Sequence, residues 1–251
     1  MKKIEKLRKV LKMLELKNVS KKYGKMDAVS DVSFTVSSGQ VLGLVGPNGA
    51  GKSTCVSMIA TLNKPDSGTI LFEGKDIVKD PDAIRKNLGY VPQDIALYES
   101  LSGLDNLKFW GKSYGVASSD LDAEIKRVCS IISFDETLLK RRVKNYSGGM
   151  KRRLNIGVAL LHRPKLVILD EPTTGIDIQS GTQILNAIEG LKRDGTAIIY
   201  VGHYVEEVER ISTHLCLLEH GVCKAFGTVG EVLEKTGSGS LSELLLGIER
   251  K

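Results

Sequence analysis

Residues 46–54 read Gly46-Pro47-Asn48-Gly49-Ala50-Gly51-Lys52-Ser53-Thr54. They fit G-x-x-x-x-G-K-[ST], a loop that wraps the phosphates of a nucleotide. Gln40-Val41-Leu42-Gly43-Leu44-Val45 precedes it as an apolar run suited to a buried strand, and Cys55-Val56-Ser57-Met58-Ile59 continues as a helix. That is the strand–loop–helix setting the motif requires. Gly46, Gly49 and Gly51 let the backbone approach an anion and turn its N–H groups inward. A helix starting near Lys52 presents its positive end to the same phosphates. Lys52 is placed to reach the β- and γ-phosphates, and the Ser53 hydroxyl to ligate Mg2+.

Around this loop the chain reads as an α/β protein. Alternation over Leu14–Val19 and Val32–Val36 predicts half-buried strands near the N-terminus. A turn at Asp66-Ser67-Gly68 precedes a strand over Thr69–Phe72. Short apolar runs at Leu88–Val91, Leu166–Leu169, Ala197–Tyr200 and Leu215–Leu218 predict buried strands. Helical stretches near 178–192 and 205–211 separate the later ones. Strands alternating with helices imply a mainly parallel sheet covered on both faces. From Leu101 to His162 the pattern is helical, as an insertion. Lys235–Ser240 reads as a flexible joint before a short helix, Leu241–Ile248.

Composition narrows the function. The 251 residues allow one domain with a subdomain. The 36 Lys and Arg against 30 Asp and Glu give a net charge of +6, which suits an anionic ligand without demanding nucleic acid. The four cysteines, Cys55, Cys129, Cys216 and Cys223, form no C-x-x-C pair and read as reduced packing residues. No apolar run approaches the ~20 residues needed to cross a bilayer. Residues 1–12, MKKIEKLRKVLK, place Ile4, Leu7 and Leu11 at helical spacing among basic residues. They read either as an amphipathic helix on anionic lipid or as an upstream extension, the second being the expectation.

Two further motifs carry chemistry. Leu166-Val167-Ile168-Leu169 runs into Asp170 and Glu171, two carboxylates at the end of a buried strand. Ligands of α/β sheets sit at the carboxyl ends of strands. Asp170 is therefore expected near the metal and Glu171 near an attacking water, where general-base help is worth about 10²–10⁴ in rate. Asn145-Tyr146-Ser147-Gly148-Gly149-Met150 offers a helix N-cap and two exposed backbone positions, a second anion-binding helix end. One such end beside a single phosphate loop invites two copies to face each other.

GPNGAGKST, YSGGMKRRL and LDEPTTGID, in that order, resemble the ATP-binding subunit of an ABC transporter over about residues 14–235. The resemblance implies a P-loop ATPase core with a mainly parallel sheet, an N-terminal antiparallel β subdomain and an inserted helical subdomain, about 95–163. It implies ATP and Mg2+ as ligands and carries roles onto matching residues. Tyr23 resembles the aromatic stacked on adenine. Gly46, Pro47, Asn48, Gly49, Ala50, Gly51, Lys52, Ser53 and Thr54 bind phosphate. Gln93 and Asp170 join Ser53 around the metal. Ser147, Gly148 and Gly149 close on the partner's nucleotide, and Asp177 lies in the loop that crosses the dimer. Glu171 and His203 act on the water. Read without the resemblance, Tyr23 is a strand-edge tyrosine, Gln93 a turn residue, Asp177 a helix N-cap and His203 a surface or capped residue.

Tyr146 and Met150 depart from the usual LSGGQ, Cys55, Val201 and Gly202 from the usual flanking residues, and Ile178 from the proline that often follows the aspartate. None removes a group that the chemistry needs. The SGGM form resembles the exporter-type subfamily for drugs, sodium or polysaccharides. The implied partners are a second copy or another ABC ATPase subunit, and a separate multi-span membrane subunit. The implied place is the cytoplasmic face of the membrane, and no nucleic acid is expected. A soluble ABC ATPase of the iron–sulfur assembly type is the alternative. Chromosome or repair ATPases are disfavoured because no sustained heptads or paired cysteines interrupt the chain. Translation factors are disfavoured because there is one nucleotide module.

Overall fold

The computed structural model describes residues 12–249. The helical reading of Ile4, Leu7 and Leu11 lies outside the described residues.

Two sheets form the core. In the first, β1 (Lys12–Tyr23) lies between β2 (Met26–Ser37) and β4 (Ser67–Phe72), all antiparallel, and β5 (Lys75–Asp76) extends the far edge. Ser67 and Gly68, expected in a turn, belong to β4 itself. Gly68 takes the left-handed conformation at φ 85°, where the β1–β4 register shifts. A glycine there absorbs the irregularity that an L side chain would resist.

The second sheet contains β3 (Val41–Val45), β6 (Leu88–Val91), β7 (Leu166–Asp170), β8 (Ala197–Val201), β9 (His214–Glu219) and β10 (Val222–Thr228). Its order is β10-β9-β3-β8-β7-β6. All neighbours are parallel except β10, which returns antiparallel beside β9. The period of two along each strand divides the core into two layers. Leu42, Leu44, Leu166, Ile168, Ile199 and Val201 pack with α1 (Lys52–Ile59) and the antiparallel sheet. Val41, Val45, Val167, Leu169, Ile198 and Tyr200 pack on the other face with α6 (Ile178–Arg193) and α7 (Val205–Ile211). Strands buried on both sides explain why their sequences read as continuous apolar runs.

A short helix, α2 (Asp82–Arg85), precedes β6. The helical insertion contributes α3 (Gly103–Ser113), α4 (Leu121–Ile131), two 3-10 turns (Glu136–Lys140 and Val143–Asn145) and α5 (Gly148–Leu160). Leu107, Leu121, Ile125, Val128 and Leu154 bury its inner face in the same layer as α6. Ser102 caps α3 by accepting a hydrogen bond from the Asp105 N–H at 3.0 Å. Beyond β10, α8 (Val229–Thr236) opens with a Thr228/Glu231 capping box and closes on Gly237 at φ 68°. Lys235 and Thr236, expected in a flexible joint, therefore complete a capped helix. α9 (Leu241–Glu249) then buries Leu241 and Leu244 against the helical layer.

Candidate nucleotide site

Because β3, β6, β7, β8 and β9 are parallel or continue the same sheet direction, their carboxyl ends deliver five loops to one edge. These loops carry the phosphate-binding motif, Gln93, Asp170–Glu171, His203 and His220. Side chains far apart in sequence meet there because the topology is parallel.

The phosphate loop is shaped by its surroundings. Gly46 and Gly51 have φ of 148° and 99°, conformations that L side chains avoid. A β-carbon at Gly46 would strike the Leu218 carbonyl oxygen, and one at Gly51 would strike that of Ala28. Both obstacles are backbone and cannot swing aside. The β9–β10 turn backs the loop through Gly221 N–H to Ala50 O, at 3.1 Å, and Ser30 N–H joins the same turn at Gly221 O, 2.7 Å. α1 has no side-chain cap, so its first N–H groups are left for an anion. Lys52 folds back and donates from Nζ to the carbonyls of Gly46 and Pro47, at 2.7 and 2.9 Å. It is only 7% exposed. Burial pushes the Lys52 ammonium pKa down, while the carboxylates of Glu171 and Asp170 pull it up.

A cleft of about 400 Å³ opens over this loop. Asn48, Gly49, Ala50, Gly51, Lys52, Ser53, Thr54 and Glu171 line it, as expected. Met26, Asp27 and Ala28 at the start of β2, with His220 of the β9–β10 turn, also line it and were not anticipated. Tyr23 is 44% exposed and pairs with Met26 across the β1–β2 turn, but does not itself line the cleft. Lys21 Nζ lies 5.8 Å from the centre of its ring. The only sequence hint of Met26 was its place two residues past the Tyr23-Gly24 turn. His220 was hinted at by the Gly221 that follows it.

Asp170 ends β7 and is 7% exposed. Burial raises its carboxyl pKa and Glu171 adds to the rise, while Lys52, His203 and Arg152 oppose it. A buried carboxylate at the strand end and an exposed hydroxyl at Ser53 are oxygen donors of the kind magnesium takes. Glu171 adopts φ 48°, and its N–H bonds Val201 O at 2.8 Å. This left-handed residue ends the extended backbone of β7 immediately after Asp170. Three groups then converge on Glu171. His203 Nε2 hydrogen-bonds Oε1, while Gln93 Nε2 donates to Oε2 at 3.1 Å and Thr174 Oγ1 to Oε2 at 3.3 Å. With Nε2 engaged, the amide oxygen of Gln93 is its remaining acceptor.

The signature segment lies elsewhere. Ser147 caps α5, accepting from Met150 N–H at 3.2 Å, and both Ser147 and Gly148 are exposed. Neither lines the cleft. Gly149 is buried against the first turn of α6, where a β-carbon would collide with the Ser180 side chain. Asp177 caps α6, accepting from Ser180 N–H at 2.9 Å, and that hydrogen bond leads the lowering of its pKa. Arg152, also buried, donates from Nη1 to Pro92 O at 3.1 Å, tying α5 to the residue before Gln93. A charged residue on the inward face of a helix was the available sign of this link.

Among the described residues the four cysteines are free. Burial pushes the Cys55 thiol up to about 12, which suits a packing role.

This fold and site define a P-loop ATPase, and residues 29–174 match the family described as "ABC transporter". The chain belongs to that family and is its ATP-binding, ATP-hydrolysing part. It is 41% identical over 232 residues to the linearmycin resistance ATP-binding protein LnrL of Bacillus subtilis, covering 92% of this chain and 74% of that protein. It is 38% identical over 216 residues to the doxorubicin resistance ATP-binding protein DrrA of Mycobacterium tuberculosis, covering 85% and 64%. It thus spans somewhat less than two thirds of DrrA. A solved structure described as the ATP-binding subunit of an ABC transporter superposes with a TM-score of 0.85 at 30% identity, covering 94% of this chain and 99% of that one.

Proposed function

We propose that this chain is the motor of an exporter, pairing with a second ATPase subunit around two Mg-ATP and driving a separate multi-span membrane subunit. The observation that carries the reading is the separation of two half-sites. The phosphate cradle and the Glu171 cluster share one cleft, while Ser147 and Gly148 are exposed outside it. A second molecule that brings its own Ser147, Gly148 and Gly149 over the γ-phosphate completes the site. Asp177, at the tip of the loop before α6, follows that segment to the partner.

Within one half-site, residues 46–54 hold the phosphates, and Tyr23 with Met26 frames the base. Ser53, Gln93 and Asp170 hold magnesium, which neutralises phosphate charge when bound. Glu171 orients the water and His203 keeps its carboxylate in register. The chemistry is positioning and charge stabilisation. Loss of the γ-phosphate then loosens the pair.

The helical subdomain is proposed to meet the membrane subunit, at the cytoplasmic face of the membrane. In support, Tyr98 and Phe109, nearly half exposed, pack edge to face at 5.2 Å on that subdomain. The relatives named for resistance to linearmycin and doxorubicin support export as the direction. Glu171→Gln tests the assembly. With ATP it is expected to elute as a trapped dimer, with hydrolysis reduced at least about 100-fold. Wild-type turnover by this variant removes Glu171 from the chemistry.

A further inference from the structure

Tyr200 is the one hydroxyl in β8, and it is fully buried. Its ring lies under Gly202, where a β-carbon would strike Cε1. A phenylalanine would fill that space equally well, and a buried hydroxyl is costly unless bonded. The Tyr200 hydroxyl donates to Glu207 Oε2 on α7. Thr173 Oγ1, also buried, donates to the same oxygen at 2.6 Å, with the two hydroxyls 3.4 Å apart. Burial and the Glu207 bond both push the Tyr200 phenol pKa up, so it stays a donor.

The sequence positions give this trio its meaning. Thr173 lies two residues after Glu171, and Tyr200 three residues before His203. Glu207 follows His203 by four. The Tyr200–Glu207 bond therefore closes the loop that carries His203 at both of its ends. The Thr173 bond fastens that closed loop to the turn that carries Glu171. The other ties between the two strand ends are the main-chain bond from Glu171 N–H to Val201 O and the His203–Glu171 hydrogen bond itself, which the trio holds from behind. Glu171 has a left-handed backbone, a conformation that persists only where the surroundings hold it.

We propose that Tyr200, Thr173 and Glu207 are positioning residues for ATP hydrolysis: their shared carboxylate oxygen fixes the spacing between the Glu171 turn and the His203 loop. This rests on the proposed roles of Glu171 and His203. None of the three lines the nucleotide cleft, so they act on turnover and not on ATP capture.

Steady-state ATPase kinetics on the full chain test it, with circular dichroism and thermal midpoints measured alongside. Tyr200→Phe and Thr173→Val are each expected to lower kcat about 10-fold, with KM for ATP within about 2-fold, since small misplacement of a reacting group is costly. Thr173→Ser, which keeps the donor, is expected to restore kcat. The double variant is expected to lose less than the product of the two losses, because both hydroxyls serve one oxygen. Wild-type kcat in Tyr200→Phe and Thr173→Val, beside an inactive Glu171→Gln, overturns the proposal while leaving the Glu171 reading intact. So does a lowered midpoint with unchanged kcat per folded molecule. Full activity of Glu171→Gln brings down the underlying reading instead.

Discussion

The phosphate loop and the signature segment are both glycine-rich helix starts, yet they are built in opposite ways. At Gly46 and Gly51 the backbone of other strands stands where a side chain would go. At Gly148 nothing lies within 4 Å. α1 begins without a side-chain cap and leaves its N–H groups for the ligand, whereas α5 begins on Ser147, which takes up the Met150 N–H. The first region is finished by its own molecule, and the second presents an open surface whose complement, in the proposed pairing, belongs to another.

The largest effect that tests this contrast is in the loop. Gly51→Ala puts a methyl on the Ala28 carbonyl in a left-handed backbone, which alone costs about 1–2 kcal/mol. Titration calorimetry is expected to find ATP affinity reduced by more than about 100-fold, about 2.7 kcal/mol. Gly49→Ala carries the same left-handed penalty at φ 78° but meets open space, and is expected to lose about 5–30-fold. Equal losses at the two positions would mean that the enclosing backbone is irrelevant.

Next comes Gly148→Asp. The open space at this glycine predicts an unchanged thermal midpoint and unchanged ATP affinity of the isolated chain. Turnover is expected to fall about 100-fold or more, because a carboxylate then faces the partner's γ-phosphate. A matching loss of affinity in the isolated chain would place both glycine segments in one half-site and erase the contrast.

The smallest effect concerns the helical side alone. His162 follows α5, its ring centre 4.4 Å from that of Tyr114 and tilted by 32°, and bonds Leu88 O at 3.1 Å, while its Nδ1 is buried without a partner. Burial pushes its pKa down from the ordinary value of 6.5. The unfolded chain therefore takes up a proton below about pH 6.5 that the folded chain refuses. Stability is full above that pH and declines as pH falls, by at most about 1.4 kcal/mol per pH unit for one proton. The thermal midpoint is expected to drop between pH 7.5 and 5.5, and His162→Gln to flatten the slope. An unaltered slope in that variant would assign the acid sensitivity to another group, with His214, also lowered by burial, the next to test.

What was legible in the sequence was what is local in the chain. The phosphate loop announces itself because strand, glycines, lysine and helix are contiguous. Ser147 and Asp177 were readable as caps because a cap is decided within four residues. The strands of the parallel sheet were readable because they are buried on both faces. β10 was missed because Val222–Thr228 is half-exposed and lacks an apolar run. Met26 and His220 were missed because hairpin turns bring them to the cleft from distant positions. The hydroxyl pair on Glu207 joins three segments and has no signature within any of them.

Gly149 nests against Ser180, and Ser180 is held by Asp177. The face proposed to meet a second subunit is thus a single die, cut jointly by two helix starts. At Gly149 its relief cannot be altered without displacing Ser180 on the other start. If the proposed pairing holds, a partner motor is accordingly accepted or refused by both helix starts together.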